Sequence, residues 1–152
     1  MISPVLHLKQ AGRLDRFFID GEWTLPSTIS ETARTAVICP STEETLCEIP
    51  LGNSKDVDHA VLAARKAFPQ WSATSPQTRA ALLDRVHGLM IERSELFARA
   101  LTLEMGAPIN YARGAHVPLA IAHLGVARDN LLKYPFIVQR GTTAIAREPV
   151  GV

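Results

Sequence analysis

The sequence holds few of the features that identify a function directly. Its 152 residues include only two cysteines, Cys39 and Cys47, which are too few for a disulfide framework and favour a reducing compartment. Aromatic residues make up 6% of the chain, and 16 basic residues nearly balance 15 acidic ones. Proteins that bind nucleic acid or anionic membranes carry a basic patch, so neither kind of partner is expected.

Long apolar runs are absent as well. No stretch approaches the roughly 18 consecutive apolar residues that a membrane-spanning helix requires. The N-terminal residues alternate apolar with charged side chains and form no secretory apolar block followed by a small-residue cleavage site. The sequence therefore predicts a cytoplasmic globular protein, and 152 residues are enough for one domain with a core of its own.

The common signatures of an active site are missing too. The sequence contains no G-x-G-x-x-G loop and no phosphate-binding lysine loop. Among the five histidines, only His116 and His123 could share a helix face, and a metal site would need further ligands. Neither Cys39 nor Cys47 lies at a predicted helix N-terminus or beside a basic residue. We therefore expect no lowered thiol pKa and interpret both cysteines as small packing residues.

The pattern of apolar residues and turn signals predicts an α+β protein. The expected order is a leader with a short helix (1–16), two hairpins (17–50), three to four helices (53–133) and a C-terminal hairpin (135–152). Asp20-Gly21 predicts a two-residue hairpin turn, and Arg140-Gly141 a second one. Ser75 before Pro76 predicts a helix start.

Two further signals concern the ends and bends of the helices. Gly106 is expected to end a helix in the left-handed conformation before Pro108. Pro118 lies inside the Ala-rich segment 109–133 and should bend it or remove one hydrogen bond. On the preceding helix, the apolar stripe of Leu82 and Val86 is expected to be buried.

Five segments in chain order resemble the N-terminal part of the NAD(P)-dependent aldehyde dehydrogenase superfamily. They are FFIDGEW, VICPSTEETLCEIP, DVDHAVLAARKAFPQWSATSPQTRAALLDRV, LTLEMGAP and AREPVGV. The resemblance runs from Phe17 to Val152 and implies part of that family's α/β fold, truncated before its dinucleotide-binding sheet. It divides the chain into a leader (1–16), part of the cofactor domain (17–133) and an oligomerisation-arm hairpin leading into the Rossmann-like portion (134–152).

The resemblance also implies a reaction. In the family, a cysteine thiolate attacks an aldehyde, hydride passes to NAD or NADP, and a glutamate activates water to release the carboxylic acid. These groups and the cofactor loops lie beyond Val152 in the family pattern. We therefore expect no catalytic and no cofactor-binding residue in this segment, no activity from it alone, and an aldehyde substrate only for a full-length enzyme.

Three features of the family can be assigned to residues of this chain by the resemblance. A structural monovalent cation would be held by the carbonyls of Val37 and Ile38 and the carboxylate of Glu104. Leu119 and Ala122 correspond to a helix that lines the substrate tunnel. The hairpin at 135–148 corresponds to an arm through which family members form homo-oligomers. The chain departs from the family at Cys39, where asparagine is usual, and at Glu44, where glycine is usual.

Two other interpretations stay open at this stage. The chain could be a non-catalytic subunit that docks on a homologous or complementary chain, or a small autonomous α+β binding domain. In the family arrangement, the helical stripes pack against the dinucleotide-binding domain. Each uncovered large apolar side chain forgoes roughly 1.5–3 kcal/mol of burial, against a net stability of about 5–15 kcal/mol. We therefore expect the isolated chain to be marginally stable or to self-associate.

Overall fold

The computed structural model of the chain describes residues 4–28 and 33–152, so the first three residues of the leader lie outside it. Six α-helices and one π-helical turn are found in this part of the chain. The α-helices are α1 (Pro4–Gln10), α2 (Ser54–Ser72), α3 (Pro76–Glu92), α4 (Ser94–Met105), α5 (Ile109–Tyr111) and α6 (Val117–Lys133), and the π turn is Ala112–His116. None of these helices is long and apolar enough to span a membrane.

Three separate antiparallel hairpins complete the described architecture. They are β1 (Phe17–Ile19) with β2 (Glu22–Thr24), β3 (Arg34–Ile38) with β4 (Thr45–Pro50), and β5 (Ile137–Arg140) with β6 (Thr143–Ala146). Each sheet has only the two strands of its own hairpin, and no parallel pairing occurs among the described strands. The predicted α+β class with a C-terminal hairpin is confirmed.

Each of the first two hairpin turns contains one non-glycine residue in the left-handed conformation. Asp20 and Gly21 connect β1 to β2 with φ angles of 53° and 82°, as the sequence predicts. In the β3–β4 turn the left-handed residue is Glu43, at φ 60°. It lies one position before Glu44, where the family pattern has glycine. The strained left-handed backbone of this turn is therefore at Glu43, next to the position of the family's glycine.

The third hairpin differs from the prediction in its turn and in its length. Arg140 pairs with Thr143, so the turn residues are Gly141 and Thr142, one position later than expected. The expected strand to Val152 is wrong, because β6 ends at Ala146. The last backbone hydrogen bond of the ladder runs from the N–H of Arg147 to the carbonyl of Phe136. In this register the next hydrogen-bonded pair would join Tyr134 to Pro149, and Pro149 has no N–H to donate.

Local capping explains where α2 and α3 begin. The side chain of Asn53 accepts hydrogen bonds from backbone N–H groups in the first turn of α2. In return, the carboxylate of Asp56 accepts a hydrogen bond from the backbone N–H of Asn53 at 2.9 Å. A second bond, from the N–H of Ser27 to Asp56 at 2.8 Å, ties the incoming chain to this cap. In α3, Ser75 caps the helix and Pro76 is its first residue, as predicted.

The connection between α4 and α6 is shaped by one glycine and one proline. Gly106 ends α4 at φ 75°, which confirms the predicted left-handed cap. Pro118 cannot donate a hydrogen bond to the carbonyl of Gly114, and its ring crowds that carbonyl. The wider π turn, Ala112–His116, lies directly before it and accommodates the missing bond.

The core is small and consists of small side chains. Its buried cluster is formed by Ala98, Ala107, Ala112 and Val117, with Leu101, Ile109 and Ile121 packed around it. No large side chain among the described residues is less than 2% exposed. The expected burial of the α3 stripe is wrong at Leu82 and Val86, which are each 45% exposed. The helices therefore keep apolar faces that nothing in the described chain covers.

Candidate functional site

The residues expected to hold a cation lie where the end of α4 meets the β3–β4 hairpin. A Cβ built on Gly106, directly after α4, would lie 3.3 Å from the Cβ of Pro40 in the hairpin turn. Across the hairpin, Val37 faces Cys47. Burial raises the pKa of the Cys47 thiol, and the nearby negative charge of Glu104 raises this pKa further. The fold thus brings Glu104 close to the strand pair that contains Val37.

The donor set at this junction is chemically suited to a hard cation. Two backbone carbonyls, of Val37 and Ile38, and one carboxylate, of Glu104, are oxygen ligands of the kind that such cations prefer. Glu104 is exposed and takes part in no ion pair found among the described residues. No cluster of three metal-ligating side chains occurs in this part of the chain. The cation role of these residues stays a prediction.

The two cysteines differ in a way that the sequence did not reveal. The expectation that neither thiol pKa is lowered is wrong for Cys39, because hydrogen bonds from the Thr42 hydroxyl and from the backbone of Ser41 and Thr42 lower it. The turn that follows β3 folds back over the sulfur, which a linear pattern does not show. Both side chains are free thiols, Cys39 buried and Cys47 half-buried, in keeping with the predicted packing role.

A cleft of about 430 Å³ opens beside the start of α6. It is lined by Ile91, Ser94, Glu95, Arg113, Val117, Pro118, Ile121 and Ala122. Of the two expected tunnel residues, Ala122 lines this cleft, whereas Leu119 lies outside its lining and is 57% exposed. The described chain therefore places one of the two at a cavity, and their role in a tunnel stays a prediction.

An ion-pair cluster at the edge of this cleft was missed in the sequence. Glu95 accepts hydrogen bonds from Nε and Nη2 of Arg113, at 2.8 and 2.7 Å, and from Nε of Arg99 at 2.8 Å. These bonds, with Arg113 contributing most, lower the pKa of Glu95 to about 2. The Glu95–Arg99 spacing of four residues was readable as a helical pair. The larger partner, Arg113, is 18 residues away and only the fold reveals it.

The hairpin expected to act as an arm is exposed along almost its whole length. Every residue of β6 is exposed, and in β5 only Val138 is half-buried. Ile137, at the start of β5, is 71% exposed. Each of the two strands has one edge that pairs with no other strand of the described chain, so unpaired backbone N–H and C=O groups are available to another chain.

Comparison with known proteins gives a consistent result. Residues 27–152 match the aldehyde dehydrogenase family. The chain is 40% identical over 137 residues to 3-succinoylsemialdehyde-pyridine dehydrogenase from a Pseudomonas species, which covers 90% of this chain and 28% of that protein.

Two crystal structures share the fold over most of this chain. One is a mutant of aldehyde dehydrogenase C from Pseudomonas syringae in complex with NAD+ and octanal, at a TM-score of 0.87 and 47% identity over 91% of this chain and 28% of that one. The other is Mycobacterium tuberculosis aldehyde dehydrogenase with NAD+, at a TM-score of 0.81 and 32% identity over 90% and 29% of the two chains.

The match covers most of this chain but only a part of each relative. It includes nine tenths of this chain, yet this chain spans only about 28% of the length of the relatives. The resemblance seen in the five sequence segments is thus confirmed by sequence and by fold. The chain belongs to the aldehyde dehydrogenase family.

Proposed function

We propose that this chain supplies the N-terminal part of an enzyme that oxidises an aldehyde to a carboxylic acid, with NAD or NADP as the hydride acceptor. The observation that carries the proposal is the 0.87 TM-score and 47% identity to a dehydrogenase bound to NAD+ and octanal. This chain corresponds to 28% of that protein. In this proposal the catalytic and cofactor-binding groups belong to sequence outside the matched segment, as the family resemblance implies. Its two free thiols fit a cytoplasmic location.

The segment by itself is inactive under this proposal. An acyl-transfer nucleophile needs a thiolate that the substrate can reach. Cys39 is only 5% exposed, although its pKa is lowered by the Thr42 hydroxyl and neighbouring backbone groups. Cys47 has a pKa raised by burial and by Glu104, so its thiolate is disfavoured at neutral pH. Neither cysteine combines a favoured thiolate with an open approach.

Within the enzyme, this segment contributes structural and binding surfaces. The junction of Glu104 with Val37 and Ile38 holds a monovalent cation and stiffens the contact between α4 and the β3–β4 hairpin. The face of α6 that includes Leu119 and Ala122 forms one wall of the aldehyde tunnel. The hairpin within 135–148 associates with a second copy through its free strand edges. The support for these roles is the placement of Glu104, the cleft at Ala122 and the exposure of β5 and β6.

A segment exchange tests the proposal directly. In the Pseudomonas syringae dehydrogenase, the matched segment is replaced by the corresponding residues of this chain, starting from an enzyme with its catalytic cysteine intact. We expect a folded chimera that oxidises octanal with NAD+, because 91% of this chain superposes on that protein. The purified 152-residue chain, assayed in parallel, should produce no NAD(P)H.

The controls separate the parts of the proposal. A chimera that folds, binds NAD+ and yet fails to oxidise octanal would contradict the proposed role of the segment. NAD(P)H formation by the chain alone, in material shown by mass spectrometry to contain no longer dehydrogenase, would contradict its inactivity. Glu104→Gln in the chimera tests the cation role, since it should weaken the dependence of thermal stability on potassium without abolishing octanal oxidation.

A second candidate function is that of a non-catalytic subunit. It is favoured by the apolar side chains that the described fold leaves exposed, among them Val57, Leu62 and Val126, at 58%, 64% and 55%. Such faces suit docking onto a complementary chain. Affinity capture of the tagged 152-residue chain separates the two functions. Stoichiometric recovery of an untagged aldehyde dehydrogenase chain supports a subunit, and recovery of the tagged chain alone contradicts it.

A further inference from the structure

The exposed hairpin formed by β5 and β6 makes few contacts with the rest of the described chain. Its strands pair with each other, and seven of their eight residues are exposed. A two-stranded hairpin of this kind is marginally stable by itself in water. Its direction relative to the helices must therefore be set at its base, where Phe136 contacts Arg79 of α3.

Four side chains form a stacked cluster at that base, here named the clasp: Arg79, Tyr134, Phe136 and Arg147. The guanidinium carbon of Arg79 lies 5.8 Å from the centre of the Phe136 ring. Tyr134 and Phe136 meet edge to face with 4.9 Å between ring centroids. The guanidinium of Arg147 lies over Tyr134, also at 5.8 Å. Two aromatic rings in contact thus lie between two guanidinium groups, one on α3 and one on the residue that follows β6.

Hydrogen bonds fix both arginines of the clasp. Arg79 Nη2 donates to the carbonyl of Thr74 at 3.0 Å, which anchors it at the start of α3. Its Nε is buried and has no hydrogen-bond acceptor among the described residues, so the ring face of Phe136 is the electron-rich surface that the fold offers it. Arg147 donates from Nη1 to the carbonyl of Pro135 at 3.0 Å, and from its backbone N–H to Phe136 at 2.8 Å.

We propose that the clasp is a positioning device that fixes the direction of the β5–β6 hairpin relative to α3, and so aims its free strand edges at a second copy of the chain. The second copy rests on the proposed function. Identical edges can pair symmetrically only if both hairpins leave their helices at one defined angle. Arg79 is the positioning residue, because it is the clasp member that belongs to α3.

The test compares arginine variants on one helix. Arg79→Gln and Phe136→Leu each remove the cation–ring contact, and Arg79→Lys keeps a cation. Arg85→Gln is the matched control, since Arg85 is an exposed arginine of α3 outside the clasp. Hydrogen exchange of the Arg147 amide reports on the joint, because this amide bonds to Phe136. Sedimentation velocity of the same samples gives the dimer dissociation constant.

We expect exchange at Arg147 to rise about two- to fivefold in Arg79→Gln and in Phe136→Leu, the range of a single cation–ring contact. The double variant should show no more than the larger single effect, Arg79→Lys should recover part of it, and Arg85→Gln should match the wild type. Dimer dissociation should rise in the same order while the urea midpoint of the helices stays unchanged.

Two results would overturn the inference, and they differ from failure of the proposed function. Exchange at Arg147 equal to the wild type in both single variants would exclude the clasp. Additive effects in the double variant would show that Arg79 and Phe136 act separately, which also excludes it. A wild-type chain that stays monomeric at all concentrations would contradict the proposed association and the aiming at a second copy, whereas the joint itself is still judged by exchange.

Discussion

The β3–β4 and β5–β6 hairpins are built alike but have different surroundings. Each is a single antiparallel pair of short strands, with no further strand beside it among the described residues. The β3–β4 hairpin includes the buried Pro50 at the end of β4 and the buried Cys39 at the start of its turn, and the end of α4 lies against that turn at Pro40. The second has no fully buried residue.

The difference shows that strand pairing does not by itself decide burial. Both ladders pair only the backbone groups on their inner edges, so the factor that decides burial is whether another element lies against a face. For β3–β4 this element is α4, whose left-handed end at Gly106 reaches Pro40. For β5–β6 the described chain supplies only the clasp at the base. One hairpin therefore packs within this fold, and the described chain leaves the other exposed along most of its length.

The largest expected effect comes from adding bulk to one region and then to the other. Ala98 in the core cluster is 1% exposed, so Ala98→Leu should lower the free energy of unfolding by about 1–3 kcal/mol through overpacking. The same change at the exposed Ala144 of β6 should alter it by less than about 0.5 kcal/mol. Urea denaturation followed by circular dichroism measures both. Equal effects would remove the contrast between the two regions.

A second pair of substitutions compares two left-handed glycines. Gly106→Ala adds a Cβ that meets Pro40 at 3.3 Å in a backbone with φ 75°, and should destabilise the fold by about 1–2 kcal/mol. Gly141 has φ 60° in the exposed turn, and nothing lies within 4 Å of its added Cβ. Gly141→Ala should therefore loosen the hairpin locally and leave the urea midpoint unchanged. A matching loss at both sites would mean that Pro40 is not in contact with the end of α4.

Sequence reasoning predicted the local elements of both hairpins more accurately than their surroundings. Asp20-Gly21, the cap at Ser75-Pro76 and the left-handed Gly106 were readable because each depends on a few neighbouring residues. The end of β6 was misjudged, because it depends on the pairing register, which places Pro149 opposite Tyr134 at a position where the ladder needs an N–H.

The candidate sites followed the same rule. The family resemblance identified Glu104 and Ala122, and the fold brings the first near β4 and the second to a cleft. The lowered pKa of Cys39 and the Glu95–Arg113 pair were missed, since both arise from folding back of the chain. A linear pattern carries no signal for such contacts beyond the first helical turn.

The next prediction concerns pH and the ion pairs that join the start of α4 to the π turn. The hydrogen bonds from Arg113 and Arg99 lower the pKa of Glu95 to about 2, from an ordinary value of 4.5. A carboxyl whose folded-state pKa is lowered stabilises the fold above its unfolded value and loses that contribution as pH falls. Stability should therefore decline between about pH 4.5 and 2, and Glu95→Gln should flatten that part of the profile.

Urea midpoints measured at several pH values between these limits check this prediction. Glu92→Gln is the control, because Glu92 is an exposed carboxyl at the end of α3 that forms no ion pair among the described residues. Its profile should follow the wild type. If the profile of Glu95→Gln also followed the wild type, the Glu95–Arg113 ion pair would contribute nothing to the free energy of unfolding.

The smallest expected effect tests the junction of α4 with β3–β4 through the thiol of Cys47. Burial is the larger cause of the raised Cys47 pKa and Glu104 the smaller, so Glu104→Gln should lower this pKa but leave it above its ordinary value. The pH dependence of iodoacetamide alkylation measures it, in a Cys39→Ser background with a single reactive thiol. An unchanged pKa would separate Glu104 from the hairpin and remove the support for a cation site there.

The same thiol can report on the cation itself. A monovalent cation held by Glu104 and the carbonyls of Val37 and Ile38 would neutralise the charge that raises the Cys47 pKa. Potassium should therefore lower this pKa in the wild type beyond what tetramethylammonium does at equal ionic strength, because the larger ion screens without binding. In Glu104→Gln the two salts should act alike. Equal shifts in the wild type would show that Glu104 acts at this junction as a charge alone.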